Sequence, residues 1–364
     1  MAKYIPILSI RPAEMVALEN LPEHDKDLML PVVQFRPWVN AVEFQDSLDK
    51  IKEAYGDRKV IADLDHFYDA GEDNNKSSAL FMKKLSDETS GFKSWCEFVA
   101  SNDFMIPCMQ FGNPSENAKQ LKALLVLGRG LVVRIPKEAF VSLTAVLSAL
   151  AGVDPKMLLF LIDFGKPRPN DLTNDATCLG ILETILKKFP DCLLSVSATT
   201  FPSSFDGPSR KSIEEREFHT RLSKAFSQAP IIYSDWGSAR AERNGGGGEI
   251  IPRVDFPMLS EWVFRRCKVT DKDKEKDPND RKKPILKNAY SAAALSLVND
   301  ETLWNERMPI WGTKMIELTA KGDAFGITSP VRSTAVRINL HLRRQIYFDN
   351  PMQAQNDADD DWVD

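Results

Sequence analysis

The segment Asp63-Leu64-Asp65-His66 sets two carboxylates two residues apart beside an imidazole. On a strand, residues so spaced point the same way, and neighbouring carboxylates repel unless they share a cation or a proton. A hard divalent cation, Mg2+ or Mn2+ with water completing its shell, answers that repulsion. The other reading is that Asp65 already lies in a loop and caps the turn that follows. Asp163 and Asp235 also sit at the ends of apolar runs, so Asp63, Asp65, Asp163 and Asp235 form the candidate metal set. Arg11, Arg36 and Arg134 occupy equivalent places, where guanidinium forks match carboxylate or phosphate oxygens. With Gln34, Gln110, Ser197 and Asp235 they make the candidate ligand-binding set. Asp63, Asp163 and His341 are the candidate catalytic groups, and His66 is a further acid or base. One chemistry that uses all of them is metal-assisted phosphoester hydrolysis, in a hydrolase or nuclease whose aspartates hold the cation while the arginines offset developing charge. The same residues can equally close a ring of Arg–Asp ion pairs that does no chemistry.

These side chains have something in common: each follows or ends a short apolar run. The runs are Tyr4–Ile10, Met29–Phe35, Lys59–Leu64, Phe104–Phe111, Leu131–Ile135, Met157–Phe164, Cys192–Ser197 and Ile231–Ser234. They are nearly continuous in Val, Ile, Leu and Phe, as strands covered on both faces by helices are. Between them lie amphipathic stretches such as Val42–Tyr55, Pro114–Leu127 and Ala176–Lys188. Asn113 before Pro114 has the pattern of an N-cap with proline at the first helical position. Eight such units within residues 1–237 predict an α/β fold, a (β/α)8 TIM-type barrel whose working residues stand at the C-terminal ends of the strands. An open doubly wound sheet is the alternative if one run is helical.

Beyond Gly237 the pattern changes, and residues 238–350 read as an appended α+β region. Ile250–Phe256 and Glu261–Lys268 are spaced to pair as a hairpin, Ala289–Val298 reads as a helix, and Thr334–Tyr347 as a strand or a helix. Lys268 to Lys283 mixes charges of both signs, the pattern of a solvated loop. Residues 351–364 read as an acidic, disordered tail. The glycines Gly245–Gly248 have no Lys-Ser or Lys-Thr after them, so they read as a flexible loop rather than a phosphate cradle.

Composition narrows the function classes. A formal charge of −5 from 47 basic and 52 acidic residues gives no general attraction to nucleic acid or to an anionic membrane. Five scattered cysteines without a C-x-x-C pair write neither a disulfide framework nor a zinc site. No apolar stretch approaches the ~18 residues of a membrane span. A cytoplasmic protein is expected. The motifs of serine hydrolases, zincins and dinucleotide-binding enzymes do not occur.

Several short motifs together resemble the phage "beta protein" family: Tyr4-Ile5-Pro6-Ile7-Leu8, Arg11, Ser234-Asp235-Trp236-Gly237, Trp311-Gly312 with Ile316, Ala320 and Gly322, Ser329-Pro330, and Ala335-Val336-Arg337-Ile338-Asn339-Leu340-His341-Leu342. Leu340 stands where the family pattern carries a second histidine, which counts against a histidine pair. The resemblance spans most of the chain and implies a protein of phages, satellite phages or prophage islands. Its implied setting is phage–host conflict, as defence or as restraint of a toxic partner encoded nearby. Two classes of function follow: an interaction or defence protein whose barrel mouth takes a partner or a phosphate-bearing ligand such as a nucleotide, and the metal-dependent phosphoester hydrolase.

Overall fold

The computed structural model describes residues 2–71, 75–168, 170–203, 209–241, 251–270 and 286–356. The chain divides into two compact units. One comprises Met1–Arg11, Asp27–Thr200 and Glu214–Arg243, and the other Pro12–Lys26, Phe201–Ile213 and Asn244–Asp364.

The first unit is built on strands β1 (Tyr4–Ser9), β2 (Val32–Phe35), β3 (Val60–Leu64), β4 (Met105–Pro107), β5 (Leu131–Pro136), β6 (Leu158–Asp163), β7 (Leu193–Ala198) and β9 (Ile231–Asp235); β8 (Arg210–Ser212) belongs to the second unit. All eight run parallel, in the order β4-β3-β2-β1-β9-β7-β6-β5. Each strand therefore pairs with its neighbour in the chain, and β1 pairs with the last. The two ends of the row meet through a parallel bridge between Cys108 and Val132, reinforced by the Met109 amide donating to the Val132 carbonyl at 2.9 Å. The result is an all-parallel, nearly closed barrel sheet surrounded by helices, and no open edge of the alternative doubly wound kind separates β4 from β5.

Alternation along the strands assigns the faces. Ile5, Ile7, Val32, Ile61, Cys108, Val132, Leu159 and Leu161 fill the interior as one apolar cluster. Toward the C-terminal ends of the strands, the same inward face carries Ser9, Gln34, Asp63, Gln110, Arg134, Asp163, Ser197 and Ser234, all buried. The outward face packs on helices: Phe35 meets Phe98 of the helix Thr89–Ala100 edge to face, with ring centroids 5.6 Å apart. The helix Pro114–Leu125 begins at Pro114 as its sequence predicts, but the Asn113 side chain makes no cap bond. Glu116 in its first turn instead accepts the Gly91 amide at 2.6 Å.

In the second unit β10 (Arg253–Pro257) and β11 (Glu261–Arg266) form the expected antiparallel pair, and β8 joins the free edge of β11. The ambiguous segment from Thr334 resolves as a helix, Pro330–Ile346, started by Ser329, whose hydroxyl accepts the Arg332 amide. From Arg337 onward its polar residues are buried. The Asn339 amide donates to the carbonyls of Ala17 and Asn20 at 3.0 Å each, and its oxygen accepts the Gly312 amide. Residues Pro351–Asn356, expected to open a disordered tail, form a helix, because Ala354 packs in and its carbonyl accepts from Arg343. The tetraglycine, most of the 268–283 run and the five final aspartates lie outside the described residues. Among the described residues no helix is long and apolar enough to cross a membrane.

Candidate functional site

Above the polar layer at the C-terminal ends of the barrel strands lies a pocket of about 480 Å3, a volume within the roughly 300–1,000 Å3 range of small-molecule sites. Arg134 on β5 is the centre of its floor. Its Nη1 donates to Asp63 Oδ2 at 2.7 Å, and its Nε and Nη2 donate to Asp163 Oδ2 at 3.0 and 2.7 Å. Asp63 Oδ1 accepts from Gln110 Nε2 at 2.9 Å and from the Leu64 amide. Asp163 Oδ1 accepts from the Gly165 amide and from Trp236 Nε1 at 3.1 Å. The arginine plane also lies over the Trp236 ring, 5.1 Å from its centre.

Burial works against charge on Asp63 and Arg134, and attraction to their partners overrides it. Desolvation pushes the Asp63 carboxyl upward, but Arg134, His66 and the Gln110 bond together hold it below the ordinary carboxylate range. Burial likewise opposes the charge on Arg134, and Asp163 and Asp63 reverse this, raising the guanidinium above its usual value. The floor is a carboxylate–guanidinium–carboxylate chain with one surplus negative charge.

Gln34 completes the floor; its carbonyl accepts from Ser9 Oγ at 3.0 Å. His66 lines the pocket with its Nε2 3.9 Å from Asp63 Oδ1. Gln110 and Ser197 belong to the same layer but do not line the cavity: Gln110 buttresses Asp63, and the buried Ser197 hydroxyl has no hydrogen-bond partner among the described residues.

The remaining candidates go elsewhere, for local reasons. Asp65 sits past the end of β3, where Oδ1 accepts the Phe67 amide and caps the turn. Its Oδ2 pairs with Arg36 at 3.1 Å and with Arg11 at 3.5 Å. Those two arginines are thus on a carboxylate rather than aimed at the pocket. Asp235 falls on the outward face of β9, out of register with inward Ser234. There it accepts hydrogen bonds from Tyr4 and Tyr233, the latter at 2.8 Å. His341 belongs to the second unit, fully buried and stacked on Trp262. The four aspartates are therefore not gathered around one point, and among the described residues no group of three or more His, Cys, Asp or Glu side chains is arranged to hold a metal ion.

A sequence model of the Beta protein family matches residues 4–347. The chain belongs to the beta protein family. It is 30% identical over 370 residues to "Protein beta" of Enterobacteria phage P4, a match covering 98% of this chain and 97% of that protein. No solved structure matches it.

In this beta-family chain the walls of the pocket are the part that strand periodicity did not reveal. Phe67, Met109, Phe111, Phe164, Lys166 and Trp236 all come from loops after the strands. Trp236 is turned over the floor by Gly237, whose φ of +58° suits glycine, and an added Cβ there would meet Leu8 at 2.6 Å. Phe164 is fixed edge to face on Phe140 and Phe218. Phe67 and Phe111 differ: they are 45% and 36% exposed and make no ring contact with another aromatic among the described residues.

Proposed function

We propose that the first unit is a TIM-type (β/α)8 barrel that binds a small molecule at its C-terminal mouth, and that the protein acts through this ligand in the phage setting of its family. The observation carrying this reading is the buried Asp63–Arg134–Asp163 chain at the base of an open pocket. Apolar side chains would fill a purely structural barrel interior more favourably than buried ions, which lose several kcal/mol of hydration. Ion pairing alone explains why the charges tolerate burial; it does not explain a cavity above them. The floor's surplus negative charge argues against a phosphate group seated at this depth, so a phosphate-bearing ligand would keep its phosphate toward His66 and Lys166 at the pocket walls. The hydrolase alternative needs a cation site, for which the separated aspartates give no support.

The test is thermal unfolding of the full chain against a library of metabolites, together with Mg2+, Mn2+ and phosphate alone. A ligand at about 100 times its Kd adds about 2.7 kcal/mol. The expected result is a raised midpoint that Gln34→Leu removes. A ligand whose effect survives Gln34→Leu and Phe111→Ala would mean binding elsewhere and would remove the proposal.

A further inference from the structure

The hydrogen-bonding capacity left over in the pocket narrows the ligand. Asp163 already accepts four hydrogen bonds, two at each oxygen. A carboxylate has about four lone-pair sites, so Asp163 has none to offer. Asp63 accepts three, two at Oδ1 and one at Oδ2, which leaves Oδ2 able to accept one more. Arg134 commits three N–H groups, and a guanidinium has five. Gln34 uses its carbonyl for Ser9, and its amide nitrogen makes no hydrogen bond to the described residues. An acceptor, Asp63 Oδ2, thus stands 2.7 Å from a donor, Arg134 Nη1, with a second donor on Gln34.

Charge then decides among ligands. A cationic amine satisfies Asp63 but leaves the remaining donors of Arg134 and Gln34 without an acceptor. An anion satisfies Arg134 and Gln34 but meets two carboxylates. A neutral group with N–H beside C=O or a ring nitrogen satisfies both. Above the floor, the exposed rings of Phe67 and Phe111 offer apolar faces that no other ring among the described residues covers. Flat aromatic ligands stack on such faces.

We propose that the pocket takes a neutral planar heterocycle with a hydrogen-bond donor and acceptor side by side on one edge, of the nucleobase type, held at that edge by Asp63, Arg134 and Gln34 and stacked on Phe67 or Phe111. This rests on the ligand-binding reading above and specifies its chemistry. Lys166 and His66, on the pocket walls, suit a sugar or phosphate attached to the ring.

The experiment is calorimetric titration of the full chain with guanosine, inosine, adenosine, cytidine and uridine, and with benzylamine, benzoate and orthophosphate as charged probes. At least one nucleoside is expected to bind more than about tenfold tighter than every charged probe, the loss expected when a floor group is left facing its like or without a partner. Phe67→Ala or Phe111→Ala should weaken it about tenfold, as removal of a stacking ring does, with unfolding unchanged. A charged probe that binds as well as the best nucleoside and is weakened by the same substitutions would retain the pocket and overturn the ligand class. Silence to all eight probes overturns the class too; if the thermal screen still finds a ligand sensitive to Gln34→Leu, the pocket stands, and if it finds none, both fall.

Discussion

Both units of this protein bury arginine against aspartate, with opposite consequences. In the barrel, Arg134 lies between Asp63 and Asp163 under an open pocket. In the second unit, Arg343 pairs with Asp25 at 2.8 Å with both side chains wholly shielded, and Tyr347 and the Ala354 carbonyl take up further bonding positions. Arg337 there is likewise sealed between Asp255 and the Phe201 ring. Burial and pairing are common to the two regions, whereas access and leftover hydrogen-bonding capacity belong to one. A buried ion pair is thus no sign of a site until a cavity reaches it.

The largest effect should come from the sealed pair. Arg343→Met leaves Asp25 charged or protonated without its partner, and breaking a buried pair costs about 3–5 kcal/mol; urea unfolding measures it, and a loss under about 1 kcal/mol would erase the contrast. Asp25 supports the same picture, since burial raises its carboxyl despite Arg343 and Tyr347.

A second sealed carboxyl sharpens the comparison, since its hydrogen bonds among the described residues involve no cation. Glu215 accepts from the Thr200 hydroxyl and amide, and burial, helped by the charge of Asp235, lifts it to about 8 against those bonds. Its folded form keeps a proton that the unfolded chain releases near 4.3, so stability is complete below that value and declines as pH rises toward 8. The slope is about 1.4 kcal/mol per pH unit. Glu215→Gln should flatten the stability profile between pH 5 and 8, and an unchanged slope would show that another group carries it.

Arg134→Met should cost less than Arg343→Met, about 2 kcal/mol, because water entering the pocket can solvate Asp63 and Asp163. Smallest of all, Phe111→Ala should leave unfolding within about 0.5 kcal/mol, as for other exposed positions, while weakening the ligand. A large stability loss there would mean the ring is part of the core.

Much of the floor was legible in the sequence because strands alternate and apolar runs have visible ends. Gln34, Asp63, Gln110, Arg134, Asp163 and Ser197 each stand two residues beyond an interior apolar or small residue on the same face. Asp235 lies off the floor, and Asp65 takes its alternative role as a turn cap, for the same physical reason, since a shift of one residue moves a side chain to the other face or into the loop. The aromatic walls were not legible. Phe67, Phe111 and Trp236 sit in loops whose course depends on local turns such as that at Gly237, which no periodicity records. Nor does any local pattern show that the segment 12–26 belongs with the C-terminal helix, a link made by Asn339 reaching the Ala17 and Asn20 carbonyls.

The most direct measurement is the increment in unfolding free energy that a pocket ligand gives to the wild type, to Arg134→Met and to Arg343→Lys. The expected result is an increment kept in Arg343→Lys, whose pair is sealed away from ligand, and lost in Arg134→Met. An increment that survives Arg134→Met undiminished would contradict the assignment of the Asp63–Arg134–Asp163 floor as the ligand's seat.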